Sequence, residues 1–257
     1  MKKGLWWAQA VLALVLTLAI IGISVVGTLA FRPLYYHDMK TLEIAEYSGY
    51  SEAEIRQNYD ALIDYNMAWK DGDLEFPTLP MSENGKTHFI EVKEIFDIFK
   101  YLAVFGGILG IAGIVFMAKK KEYRYLKMTA IVSCGLPVVL GILVALFWDK
   151  VFVIFHELFF DNDYWIFDYR TDPIILLLPD EFFMHCALLI FGGVLLGAVV
   201  CLGSYLILTK LKKEKSSKRI RTVAKGDSPY YTMKGKNKLQ VKLTFPDGFC
   251  TFPWFLL

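Results

Sequence analysis

The chain has 257 residues, 55% of them apolar and only 21% charged, with positive mean hydropathy. The net charge of +2 says little by itself, and no nucleic-acid partner is expected; the apolar excess points to a membrane. Four long apolar runs carry that excess: Leu5 to Phe31, Tyr101 to Ala118, Met128 to Trp148 and Met184 to Thr209, of 27, 18, 21 and 26 residues. A helix needs about 20 apolar residues to cross the hydrocarbon core, and a helix satisfies its own backbone there. The expected fold class is therefore all-α, a polytopic membrane protein with four transmembrane helices.

Taken in chain order, the first run follows Lys2 and Lys3. It is too long for the usual 7–15-residue core of a cleaved leader, so an uncleaved signal anchor is expected. Residues 32–97 come next, with fourteen acids against six bases. Ser51-Glu52-Ala53-Glu54 reads as a capping box, and Ile55, Tyr59, Leu62 and Ile63 recur at helical spacing. These predict a surface helix over about 52–68. Asp71-Gly72-Asp73 and the prolines at 77 and 80 end it in a loop. The apolar content looks too thin for a core of its own. From His88 the pattern turns helical and enters the second run. The second and fourth runs are interrupted by glycines, including Gly106, Gly110, Gly193 and Gly197, which let helices approach closely.

Lys119, Lys120, Lys121, Arg124 and Lys127 follow the second run, and Pro137 inside the third predicts a kink. Residues 149–183 hold eight acids, two bases and many aromatics, with prolines at 173 and 179. Short interfacial helices or a re-entrant elbow are expected, since Trp and Tyr favour the membrane–water boundary. After the fourth run come Lys210, Lys212, Lys213 and Lys215. Basic flanks stay cytoplasmic. Both termini are then inside, and the segments 32–97 and 149–183 are outside. Residues 1–215 form the expected membrane domain. Residues 216–257 form a basic tail, able to meet anionic lipid, followed by a disordered or non-native end. Three cysteines lie in apolar runs and neither outer segment has one, so no extracellular disulfide framework is expected.

All four histidines, His37, His88, His156 and His185, fall toward one side of the membrane in this topology. A helix starting near Thr87 sets Glu91 on one face with His88. A carboxylate there can fix an imidazole's tautomer, although a histidine that caps the helix or rests at the interface fits the same pattern. His156 stands among Phe155, Phe159 and Phe160 beside Glu157; the alternative is an interfacial histidine in an aromatic belt. No His-x-x-x-His or Cys-x-x-Cys pair, nucleophile elbow or phosphate loop is present, so no metal and no covalent serine mechanism are expected.

Ser82-x-x-Gly85-x-x-His88-Phe89-x-Glu91-Val92-Lys93 stands alongside Phe155-His156-Glu157-Leu158-Phe159-Phe160, Trp165, Thr171-Asp172-Pro173 and Leu178-Pro179-x-Glu181-Phe182-Phe183. Together these resemble the bacterial lipoprotein intramolecular transacylase (Lit) family over about residues 1–215. Glu91 stands where the family motif commonly has Asp, keeping a carboxylate. The resemblance implies a membrane acyltransferase, active without a cofactor, whose substrate is a diacylglyceryl-modified lipoprotein lying among membrane lipids. The enzyme would move the sn-2 acyl chain to the α-amine of the N-terminal cysteine. It further implies His88 as base and His156 as its partner or oxyanion donor. Glu91, Lys93 and Asp172 would support or orient, and Phe155, Phe159 and Trp165 would wall the acyl groove. A non-catalytic membrane scaffold and a membrane lipid hydrolase remain as alternatives.

Overall fold

The computed structural model describes residues 3–69 and 72–224; the C-terminal end from residue 225 lies outside the described residues. They form eight helices: α1 (Lys3–Ala30), α2 (Arg32–Thr41), α3 (Ile44–Ser48), α4 (Glu52–Met67), α5 (Glu83–Lys119), α6 (Arg124–Phe159), α7 (Ile174–Leu177) and α8 (Asp180–Ala224). Four of them, α1, α5, α6 and α8, are long and apolar enough to cross a membrane. Their outward faces carry large apolar side chains such as Ile111, Leu146 and Val199, each 66% exposed. Water penalises such a surface and lipid does not. Residues fall into two compact units, Met1–Tyr205 and Leu206–Leu257; the described part of the second is the basic end of α8.

α1 packs against the other three spans, and its contacts reveal their directions. Gly22 meets the backbone of Ala103 and Phe99, with a Cβ there only 2.7 Å from each, while Gly106 faces Ala19 and Gly113 faces Leu12. As one number rises the other falls, so α5 runs antiparallel to α1. Gly193 against Ser24 and Gly197 against Ile20 give the same sense for α8. Toward α6 the offset is constant. Gln9 Oε1 accepts from the Tyr125 N–H at 3.2 Å, Thr129 Oγ1 donates to the Ala13 carbonyl at 3.4 Å, and Ser133 Oγ donates to Thr17 Oγ1 at 3.2 Å. α1 and α6 are therefore parallel, joined by a ladder of one polar rung per turn. This alternation brings the end of α1, the start of α5, the end of α6 and the start of α8 to the same end of the bundle.

The helices overrun the apolar runs at that end. α5 begins at Glu83 and α6 continues to Phe159, so both histidine motifs ride on extensions of membrane helices. The break inside α6 is at Phe147 (φ −142°, ψ 41°), not at Pro137, which stays within the helical run. Of the expected interfacial helices in 149–183, only the single turn of α7 forms, started by Pro173. The capping box on α4 is present, with Ser51 and Glu54 bonded reciprocally.

The segment 32–97 has a core after all, because it shares one. Tyr35, Met39, Ile55 and Tyr59 are buried together with Phe89 of α5, Ile174 and Leu177 of α7 and Phe182 of α8. Tyr35 stacks on Tyr59 at 3.6 Å between ring centroids and donates its hydroxyl to the Leu177 carbonyl at 2.7 Å. Burial pushes the Tyr35 phenol well above its ordinary range, so it stays a hydroxyl donor. Neither outer segment could bury enough surface alone; together they make a cap.

Candidate active site

Beneath this cap the structure brings His88 and His156 together, with ring centroids 6.3 Å apart. His88 lies early in α5 and is 6% exposed. His156 sits in the last turn of α6. Aromatic rings close around both. Phe160 lies edge-on to His88 at 4.7 Å and stacks near His156 at 5.8 Å, so it lines both imidazoles. Phe167 approaches His88 at 5.4 Å. Trp165 stacks on His156 at 4.6 Å, and Phe152 approaches it from one turn earlier at 4.3 Å.

The hydrogen bonds separate the two imidazoles. His156 Nδ1 lies 2.7 Å from the Phe152 carbonyl. A carbonyl only accepts, so Nδ1 carries the proton and the neutral ring holds its lone pair on Nε2. His88 Nδ1 is buried without a partner among the described residues.

The start of α5 is fixed by Asp172. Its Oδ1 accepts from the Ser82 N–H at 2.7 Å, and its Oδ2 accepts from the Thr171 hydroxyl at 2.7 Å. The carboxylate, 3% exposed, thus caps the helix that carries His88 and matches its positive N-terminal dipole. Ser82 Oγ in turn accepts from the Gly85 N–H at 3.0 Å. The motif glycine now has a reason: a Cβ at Gly85 would run into Asp172 Oδ1. Asp172 therefore reaches His88 through the helix start.

Glu91 and Lys93 make their hydrogen bonds to segments outside α5. Glu91 Oε1 accepts from Asn162 Nδ2 at 2.8 Å, while Oε2 is buried with no partner among the described residues. Asn162 comes from the second outer segment, which spacing within α5 could not place. Lys93 lies about 140° around the helix from His88. Its Nζ donates to the Ala68 carbonyl at 2.7 Å and the Tyr65 carbonyl at 3.2 Å. Lys100 does the same for Asn66 and Ala68. Both lysines satisfy the orphan carbonyls ending α4.

Phe155 and Phe159 pack together at 4.7 Å between centroids but remain 45% and 51% exposed, on the outer side of α6. Phe155 also meets His156 edge-on at 5.4 Å. Phe152 and Phe160 were the aromatics to look for along α6, since they flank His156 at four-residue spacing. Phe167 and Asn162 carry no comparable signal in sequence.

Such a fold and site define an integral membrane protein with paired imidazoles under an aromatic cap. The family model described as "Lipoprotein intramolecular transacylase Lit" matches residues 10–183. The chain is 36% identical to the membrane-integral lipoprotein intramolecular transacylase Lit from Bacillus cereus, solved in meso, with a TM-score of 0.79 over 81% of this chain and 97% of that one. It is likewise similar, at 35% identity, to structures of that protein with a histidine replaced by arginine (TM-score 0.74; 81% and 93% covered) or by alanine (TM-score 0.73; 81% and 94% covered). No curated protein matched the chain. The chain belongs to the lipoprotein intramolecular transacylase family. It is a multi-pass membrane acyltransferase that acts on lipoproteins.

Proposed function

We propose that the enzyme moves the sn-2 acyl chain of a diacylglyceryl lipoprotein onto the α-amine of its N-terminal cysteine, using His88 and His156 as an acid–base pair. The observation that carries this reading is the convergence of the two rings from separate helices, 6.3 Å apart within an aromatic wall. An α-amine has an ordinary pKa of about 7.7–8.0, so a nearby base readily supplies its neutral form. His156 is that base: its Nδ1–H is held by Phe152 and its Nε2 lone pair remains for the substrate. The amine attacks the ester carbonyl, and the developing oxyanion accepts a hydrogen bond from the Nε2–H of His88. Nε2 of His156 then gives its proton to the glycerol oxygen as the C–O bond breaks, and the excess proton left on the new amide nitrogen passes to the freed Nε2 and on to water. An amide and a free glycerol hydroxyl result. This reading gives the base to His156, where the resemblance implies His88.

Donor and acceptor belong to one molecule, which makes the attack effectively unimolecular and can remove about 7–11 kcal/mol of barrier. The aromatic wall limits water, which favours aminolysis over hydrolysis. Asp172 and Gly85 set the position of His88 by fixing the start of α5. By the distribution of basic flanks, the termini face the cytoplasm and the site opens to the outer side. An impermeant thiol reagent applied to sealed cells should label a cysteine introduced at Asn84 and spare one at Glu122; the opposite pattern refutes this orientation.

The reaction is tested by expressing the enzyme with a lipoprotein and analysing the N-terminal lipopeptide by tandem mass spectrometry. An isobaric product with one amide-linked chain is expected. A released fatty acid would mark a hydrolase, and an unchanged substrate would refute the reading.

A further inference from the structure

We propose that the Glu91 carboxylate, held by Asn162, is the binding site for the substrate's α-ammonium group. This rests on the transacylase reading and adds a recognition element to it. Asn162 is itself locked: its Oδ1 accepts from the Tyr164 N–H at 3.0 Å, which turns Nδ2 toward Glu91 Oε1 at 2.8 Å. One carboxylate oxygen is thus satisfied and the other, Oε2, is buried with no partner among the described residues. A buried carboxylate oxygen without a donor is costly unless a cation completes it.

The placement suits a primary ammonium. Glu91 lies three residues beyond His88 on α5, about 4.5 Å along the axis. Asn162 lies between Phe160, which lines both imidazoles, and Trp165, which stacks on His156. The neighbouring cation on α5, Lys93, directs its ammonium to the carbonyls ending α4. An ammonium at Oε2 would be held one helical turn from His88. No bond is made or broken in this binding step, and charge balances as an ion pair.

Two unreactive lipopeptides test it, both diacylglyceryl thioethers. In one the α-amine is dimethylated, which keeps the charge and one N–H but forms no stable amide; in the other the amine is replaced by hydrogen. Their binding to the full chain in nanodiscs is measured directly, without turnover. The wild type should prefer the dimethylammonium analogue by about tenfold or more, as expected of a charge-assisted hydrogen bond. Glu91→Gln should bind both analogues equally, at the level of the wild type with the deamino one. Glu91→Asp, one methylene shorter, should show a preference reduced several-fold, and serves if the glutamine variant does not fold. A wild type without preference, or variants that keep the full preference, overturn the proposal. Failure of the wild type to make the amide product would instead refute the reaction, and leaves this comparison intact.

Discussion

Gly22 of α1 touches the backbone of α5, whereas Tyr35 of α2 stacks on Tyr59 and reaches across to α7. These contacts typify two regions built by opposite means. In the span there is no hydrophobic gain in pressing one apolar helix on another, so glycines permit close approach and a few buried polar rungs fix register. In the cap, short helices from distant segments bury large rings and tie them with hydrogen bonds. The site lies where the regions meet, with each histidine on a rigid span helix and its surroundings supplied by the cap. An imidazole pair gains precision from such an arrangement, because side chains on long helices are better held than those on loops.

The comparison can be sharpened by disturbing one region at a time. The largest effect is expected at the meeting point. His156→Ala and His88→Ala should each lower N-acylated product by about 10²–10⁴-fold while membrane insertion is unchanged, read by mass spectrometry of the lipopeptide. Near-normal product in both variants would sink the acid–base mechanism. Next comes the span: Gly22→Val drives a branched side chain into backbone atoms 2.7 Å from its Cβ. A loss of about 1–3 kcal/mol should appear as a lower unfolding temperature in detergent. A variant as stable as the wild type would contradict the close α1–α5 contact.

Gly85→Ala probes the link between cap and site, since its Cβ would displace the Asp172 carboxylate from the start of α5. Product formation should fall more than stability does, which a paired activity and melting measurement can resolve; a loss in stability alone would make Asp172 merely structural. Tyr35→Phe acts within the cap and leaves the Leu177 carbonyl without its donor. It should cost about 1–3 kcal/mol in a melt, with activity falling only as folded protein is lost. The smallest effect is expected at Gly107, where an added Cβ meets nothing within 4 Å. Gly107→Ala should be neutral to within about 0.5 kcal/mol, and a large loss there would mean that glycine spacing alone, rather than contact, governs the span.

The four spans and α4 were legible in the sequence because their signals are local. An apolar run of about 20 residues has one stable backbone solution in lipid, and Ser51 with Glu54 closes a helix end within a few residues. The histidine motifs and the aromatic character of their surroundings were legible too. Partners were not: Glu91 invites pairing with His88 one turn away, yet Asn162 takes its carboxylate from 71 residues on. Lys93 looks like a cation for the site and instead ends α4.

By itself, then, the sequence determined an all-α membrane protein, its family, and the two motifs that hold His88 and His156. These follow from hydropathy, periodicity and motif, which act over a few turns of chain. Only the tertiary structure decided that two thin outer segments share one core, that Phe160 and Phe167 line His88, and that Gly85 is small to admit Asp172. It also placed the Phe152 carbonyl beside Nδ1 of His156. Each of these depends on which surfaces meet when antiparallel helices bring distant segments to the same end, and no local pattern specifies that meeting.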